Sequence, residues 1–407
     1  MSDTDTPHVG RRLEFAVYGA ATFSNSLGYM IMVVLPLWVL TLDAGPLLIG
    51  IILGARHFLV LIYSIHGGVM MDRLDVRRMM VSFGALGVLL PLLFPLTSSV
   101  WVVIALQMAA GYCSAVGWMG AQAIIGQAMK GSAVHTGRMS ATLRIGSLIG
   151  PPIAGAAWDL GGPWGAFASL SFWGLCLLLC CLALPAHETA TSARPQPRLR
   201  DLIPRLEGYV ATFRLLTIPL VALVMLVSVV RIAGFGMQSS FYAVYLEGQG
   251  YTGTMIGSLL AIYSLFGGGL SLMTGRLTRL FRPMWLMIAV IAGSIAAIAV
   301  TPALGSFALL AIAAAINGGC YGLSQPLMIS NMSRVVGPDD QGKAIGLRTT
   351  ANRLAATFMP VVMGAVVEAT GLGASFYITG AALLFMLLAV ALWGRKIADS
   401  LGTTGRP

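Results

Sequence analysis

The chain has 407 residues, of which 57% are hydrophobic and only 10% charged, and its mean hydropathy is +0.84. Soluble domains carry about 25% charged residues, so the composition argues against a soluble enzyme and for a polytopic helical membrane protein, where glycine (49 here) is commoner than in soluble helices. A formal charge of +10 would suggest nucleic acid only if Lys and Arg lined one soluble face; they are spread over short loops, and no nucleic-acid partner is expected.

Apolar stretches fall at 14–40, 47–71, 79–97, 100–128, 139–158, 166–185, 214–246, 254–275, 283–301, 305–329, 344–367 and 374–394. Each is long enough, or nearly so, for the roughly 20 residues a bilayer-crossing helix needs. None alternates apolar and polar residues as barrel strands do. The expectation is an all-α membrane protein of twelve transmembrane helices. Met1 to Arg12 is short and polar and runs straight into the first apolar stretch, which does not read as a cleavable signal peptide. The five cysteines lie inside apolar runs without metal spacing, so neither a disulfide nor a metal site is expected, and no cofactor.

Twenty of the 25 Lys and Arg fall in the N-terminal tail, in every second loop, or in the C-terminal tail. The intervening loops hold none. The positive-inside rule then places both termini in the cytoplasm, with anionic membrane lipid as the ordinary partner of the basic loops. Residues 186–213 are polar, basic and Pro-containing. They read as a cytoplasmic linker between a six-helix half at 1–185 and another at 214–407, with a short amphipathic helix from Leu199 to Val210 at the membrane surface.

The halves repeat. At an offset of 209, Arg144, Pro151, Gly155, Asp159, Gly162 and Phe167 meet Arg353, Pro360, Gly364, Glu368, Gly371 and Phe376. At an offset of 207, Ile49, Gly50 and Gly68 meet Ile256, Gly257 and Gly275. Two parallel repeats form two pseudo-symmetric six-helix bundles, the arrangement of transporters that rock about a site near the bilayer midplane.

After the second apolar stretch comes Gly68-Val-Met-Met-Asp72-Arg73-Leu-Asp75-Val-Arg77-Arg78, and the fifth contains Gly146-Ser-Leu-Ile-Gly150-Pro151-Pro152-Ile-Ala154-Gly155. The first resembles the loop signature of the major facilitator superfamily, and the second resembles the glycine–proline motif of its exporters and antiporters. The resemblance implies alternating access, usually as a monomer, with Gly68, Asp72, Arg73, Arg77, Arg78, Gly146, Gly150, Pro151 and Gly155 in the conformational switch. It also implies that helices three, six, nine and twelve face lipid, and here these contain no charged residue. Three departures stand out. Asp75 replaces the second glycine of the signature and Val76 a basic residue, which would stiffen the hinge. Gln107, four residues before Gly111, stands where drug–proton antiporters carry an arginine. The eighth-helix copy keeps Gly275, Arg276, Arg279 and Arg282 but no aspartate.

Five arginines remain inside the apolar stretches: Arg56, Arg144, Arg231, Arg348 and Arg353. Placing Arg at a membrane helix centre costs about 2.5–3.5 kcal/mol on insertion scales, so each is expected to face a cavity, water or a partner. Deep carboxylates are missing; Asp43, Asp159, Glu247 and Glu368 sit at helix ends. Surplus guanidinium without acid suits an organic anion, held by paired hydrogen bonds. Arg231, Arg56, Arg144 and Arg353 are the substrate candidates, with Asn25, Gln107, Tyr112, Gln238, Tyr242, Asn317, Tyr321 and Gln325 as polar lining. Arg348, nearer the cytoplasm, reads as a gate of the conformational switch or a topology residue. If a proton is coupled, His57 and His66 titrate in range, with Asp159 and Glu368 as alternatives or as helix-end contacts. The expectation is an exporter of a small organic anion in the bacterial cytoplasmic (inner) membrane. The alternatives are a multidrug exporter using adaptable Met and aromatic surfaces, an organic-anion importer and a lipid transporter. No constellation suggests an enzyme.

Overall fold

The computed structural model describes residues 10–63, 75–129, 133–185, 217–335 and 341–403. His66, Gly68, Asp72, Arg73 and the linker with its expected surface helix lie outside the described residues. The described residues are helical throughout: α1 (Arg11–Leu40), α2 (Pro46–Ala55, resuming after a turn at Arg56 and His57 as far as Tyr63), α3 (Val76–Leu93), α4 (Val100–Gln127), and α5 and α6 as two arms of Ala133–Ala183. They continue with α7 (Pro219–Gly248), α8 (Gly253–Ser271), α9 (Pro283–Ala299), α10 (Phe307–Val335), α11 (Gln341–Thr370) and α12 (Leu372–Thr403).

Ten of these helices are long and apolar enough to cross a membrane, counting 134–183 as one. That segment is two spans. At Gly162 the backbone turns to φ 57° and ψ −149°, a region essentially reserved for glycine. The helix α9, of 17 residues, follows the short helix Thr274–Leu280 at a 119° bend and completes twelve. The loop expected between α5 and α6 is thus a single-residue break. Its repeat counterpart, Gly371, separates α11 from α12 with φ 85°. The repeat also shows at the ends of α3 and α9, which both close in a 3-10 turn around a proline, Phe94–Leu96 and Thr301–Ala303.

Helical spacing explains the packing. In the first repeat, Leu13, Ala16, Val17, Ala20 and Ala21 form one stripe of α1. They are buried against Val76, Met79 and Met80 of α3, Val116 and Ile124 of α4, Leu177 and Cys181 of α6, and Leu184 just beyond its end. In the second, α9 buries Met287, Val290, Ile291, Ser294, Ile295 and Ile298, and it packs on α10 and α12.

The chain clusters into two compact units, one of residues 1–44, 55–204 and 246–261, the other of 45–54, 205–245 and 262–407. Each unit includes the first turns of a helix whose remainder lies in the other. In the first, α8 begins against α5, where a Cβ on Gly257 would strike the Pro151 carbonyl and one on Gly155 the Gly253 carbonyl. In the second, α2 begins against α11, where Gly50 faces the Pro360 carbonyl and Gly54 the Thr357 carbonyl in the same way. Small residues permit this backbone-to-backbone approach.

Candidate functional site

The intramembrane arginines separate into two settings. In the first unit, α2 breaks at Arg56, whose Nη1 donates to the Gly28 carbonyl at 3.0 Å and Nη2 to Ser114 Oγ at 3.3 Å. The break brings the Arg56 carbonyl against Gly111 of α4, with no room for a Cβ. Beside it lies a small, partly open cavity of about 50 Å³, lined by Arg56, Gln107, Ser114, Phe83 and Leu177 among others. Gln107 is only 2% exposed.

In the second unit, Arg231 of α7 is 5% exposed. Its Nε donates to Ser324 Oγ at 2.6 Å, and its guanidinium carbon lies 3.9 Å from the centre of the Tyr321 ring. Phe235 stacks on Tyr321 at 5.1 Å and Tyr263 adjoins it at 5.9 Å. The ring face attracts the cation and the aromatic group fixes its orientation. Arg348 of α11 is 9% exposed, and its Nη1 contacts Met328 Sδ at 3.8 Å. Ser324 and Met328 are one helical turn apart on α10, so the two guanidinium groups address the same face of that helix. Among the described residues, neither arginine has a carboxylate partner, and the terminal nitrogens of Arg231 donate to no protein group. Between Pro219 and Val367 the sequence holds three acids: Glu247, at the end of α7, and Asp339 and Asp340, which lie outside the described residues.

Of the other polar candidates, Asn317 donates to Gln238 Oε1 at 3.2 Å and accepts from Ser294 at 2.6 Å. These groups bond to one another inside the unit, as interhelical polar residues commonly do; Gln238 Nε2 has no partner among the described residues. Tyr112 lies in an aromatic group with Tyr63 and Phe83. Tyr242 is buried, Asn25, Arg353 and His57 are half-buried, and Arg144 and Gln325 are exposed.

The glycine–proline motif faces two neighbours. Gly146 and Gly150 lie against Thr22, Ser26 and Met30 of α1, whereas Pro151 and Gly155 meet the start of α8. Arg77 caps the end of α6, donating to the carbonyls of Leu184 at 2.7 Å and Leu182 at 3.2 Å, while Arg78 lies 3.8 Å from Asp75. Asp159 accepts bonds from the first turn of α8, and Glu368 from the first turn of α2. Both carboxylates are helix-end contacts in the structure.

Sequence reasoning missed Ser324 and Ser114, because a serine in an apolar run carries no pattern of its own. It also missed a group where α1 and α5 begin: Tyr18 Oη lies 2.7 Å from His135 Nδ1, which is 3.4 Å from Glu14, and Arg138 is 3.5 Å from the same carboxylate oxygen.

Comparison with known proteins agrees with this architecture. The sequence profile of the Major Facilitator Superfamily matches residues 17–231 and again 224–404, once for each repeat. Two solved structures similar in fold are those of the nucleoside transporter NupG: a point mutant of it, with a TM-score of 0.79, and NupG itself, with 0.74. Each is 13% identical; the likeness covers 94% of this chain and 99% and 98% of theirs. No curated protein matches by sequence. Twelve helices, two repeats and a profile match over nearly the whole chain make this integral membrane protein a member of the major facilitator superfamily, with a transporter's fold.

Proposed function

We propose that the chain is a secondary active transporter that exports a small organic anion by alternating access, with Arg231 as the principal substrate residue. One observation carries the reading: a guanidinium 5% exposed and oriented by Ser324 and Tyr321 has no carboxylate partner among the described residues and undirected terminal nitrogens. A buried charge is costly unless paired. A carboxylate or phosphate-bearing substrate supplies the missing charge and accepts the undirected hydrogen bonds. A neutral nucleoside, the substrate class named for NupG, leaves that charge unbalanced.

The resemblance of the segment around Gly150 and Pro151 to the exporters' glycine–proline motif supports export. The distribution of Lys and Arg supports cytoplasmic termini; a bacterial inner-membrane location, and halves 1–185 and 214–407 as the moving bodies of a monomer, belong to the same proposal. The contacts of Asp159 and Glu368 favour a gating role for them over proton carriage, which leaves His57 as the coupling candidate among the described residues.

The test is ligand-induced stabilisation of the purified protein in detergent, since binding to the folded state raises the melting temperature by mass action. Organic anions, organic cations, nucleosides and neutral amphiphiles form the panel. Shifts confined to anions and lost in Arg231→Gln support the reading. Shifts with cations or bulky neutral compounds, unchanged in that variant, overturn it in favour of a multidrug exporter.

A further inference from the structure

Resting on the anion reading above, we infer that Arg348 is a second anion-binding residue and that, with Arg231, it clamps a compact head group carrying two negative charges. The spacing is the first ground. Arg231 is held by Ser324 and Arg348 contacts Met328. Their contact points are thus one turn of α10 apart, about 5.4 Å. Separate oxygens of one tetrahedral phosphate ester, or the two carboxylates of a short diacid, can each accept from a different guanidinium across such a gap.

The second ground is charge. Both side chains are largely buried, at 5% and 9% exposure, and they contact α10 one turn apart, where like charges repel. No acid occurs in the interior of α7 to α11 to offset them. A monoanion neutralises one of the two charges. A dianion neutralises both and offsets their mutual repulsion. The third ground is rigidity. Arg231 is fixed by a hydrogen bond and a ring face, so its donors are preorganised for a charged partner rather than free to turn toward water. Arg348 has only the weak acceptor Met328 Sδ among the described residues, which leaves its donor edge for a ligand.

The experiment measures binding of benzoate, phenyl phosphate and phthalate to the full-length detergent-purified protein by calorimetry. Wild type is compared with Arg348→Gln, Arg348→Lys and Arg231→Gln. At pH 7.5 the wild type should bind phenyl phosphate or phthalate roughly tenfold or more tighter than benzoate, a gap that Arg348→Gln removes by weakening the dianions far more than benzoate. Phenyl phosphate affinity should also rise from pH 5.5 to 7.5 as its second proton leaves near pH 6, whereas phthalate, already doubly charged over most of that range, should change less. A preference for phenyl phosphate alone identifies a phosphate-type head; equal preference for phthalate identifies charge as the whole signal. Equal binding of mono- and dianions, with Arg348→Gln indifferent, overturns the clamp and leaves the single-arginine anion site standing. No anion binding, or binding unaffected by Arg231→Gln, overturns the anion reading itself. If Arg348→Gln does not fold, the wild-type charge preference and Arg348→Lys decide: the lysine variant keeps the positive charge but loses the fork, so the clamp predicts dianion binding weakened more than benzoate binding.

Discussion

Asp159 and Thr254 are joined twice: the carboxylate accepts from the Thr254 backbone N–H at 2.8 Å and from its hydroxyl at 2.6 Å, and the other oxygen accepts from Gly253 N–H at 2.8 Å. A residue of α5 thereby caps α8, satisfying donors that a helix start leaves unpaired and placing negative charge at the positive end of its dipole. The repeat gives the same device in a weaker form, with Glu368 accepting from Leu47 N–H at 3.3 Å.

The two caps should therefore differ in strength. Asp159→Ala is expected to destabilise the protein by about 1 kcal/mol, in the usual range for loss of a capping acceptor. Glu368→Ala, which removes one long bond, should cost clearly less. Thermal unfolding in detergent checks the order; equal losses would show that the shorter contacts of Asp159 carry no additional stability.

Asp75 adopts φ 72°, the left-handed region that the glycine of the family signature enters freely. Asp75 thus keeps the bend that a glycine provides, and it also accepts a hydrogen bond from Arg77 N–H at 3.0 Å as the N-cap of α3. Asp75→Asn should be nearly neutral, because it retains an acceptor and tolerates positive φ. Asp75→Gly exchanges strain for the lost cap and should shift stability by less than about 1 kcal/mol. Asp75→Ala loses the cap and keeps the strain, so it should be the least stable of the three by melting temperature.

Gly111 against the Arg56 carbonyl and Gly318 against the Tyr263 carbonyl are equivalent crossings in the two repeats, and Gly126 has open space around it. Adding a methyl at either crossing forces two helix backbones apart. Gly111→Ala and Gly318→Ala should each cost about 1–3 kcal/mol, while Gly126→Ala should be neutral or slightly stabilising through helix propensity. Denaturant-free thermal melts of the three variants are sufficient to compare them.

Ser324 and Tyr321 position Arg231 without needing to touch the ligand. Ser324→Ala should weaken anion binding several-fold, as expected for loss of one hydrogen bond to a charged group. Tyr321→Phe keeps the ring face and should bind nearly as wild type, but Tyr321→Leu should not. A calorimetric titration with an anion that stabilises the wild type distinguishes them, and equal weakening by Phe and Leu would point instead to the hydroxyl.

Hydropathy and loop charge made the helices legible, because span length is a local and additive property. The repeat was legible through glycine, proline and charged positions such as Gly155 and Gly364, which tolerate few replacements at close backbone contacts. The arginines announced themselves by their cost in lipid. What stayed hidden depends on helix rotation and on long-range partners. Nothing local distinguishes Ser324 from Ser330, or shows that His135, near a basic loop, would be 3% exposed between Tyr18 and Glu14. Arg348 reads as a gate or topology residue because it lies near a helix start; that it contacts the same face of α10 as Arg231 is a property of three helices together.

The scarcity of acid in α7 to α11 also bears on voltage. Fixed guanidinium charge moves with the protein, and each elementary charge carried through the full membrane potential involves about 2.3 kcal/mol per 100 mV. A carrier whose two clamping guanidinium groups are charged when empty and neutralised when loaded carries two charges fewer on its loaded stroke. Membrane potential would then act more strongly on the resetting of the cycle than on the step that moves cargo.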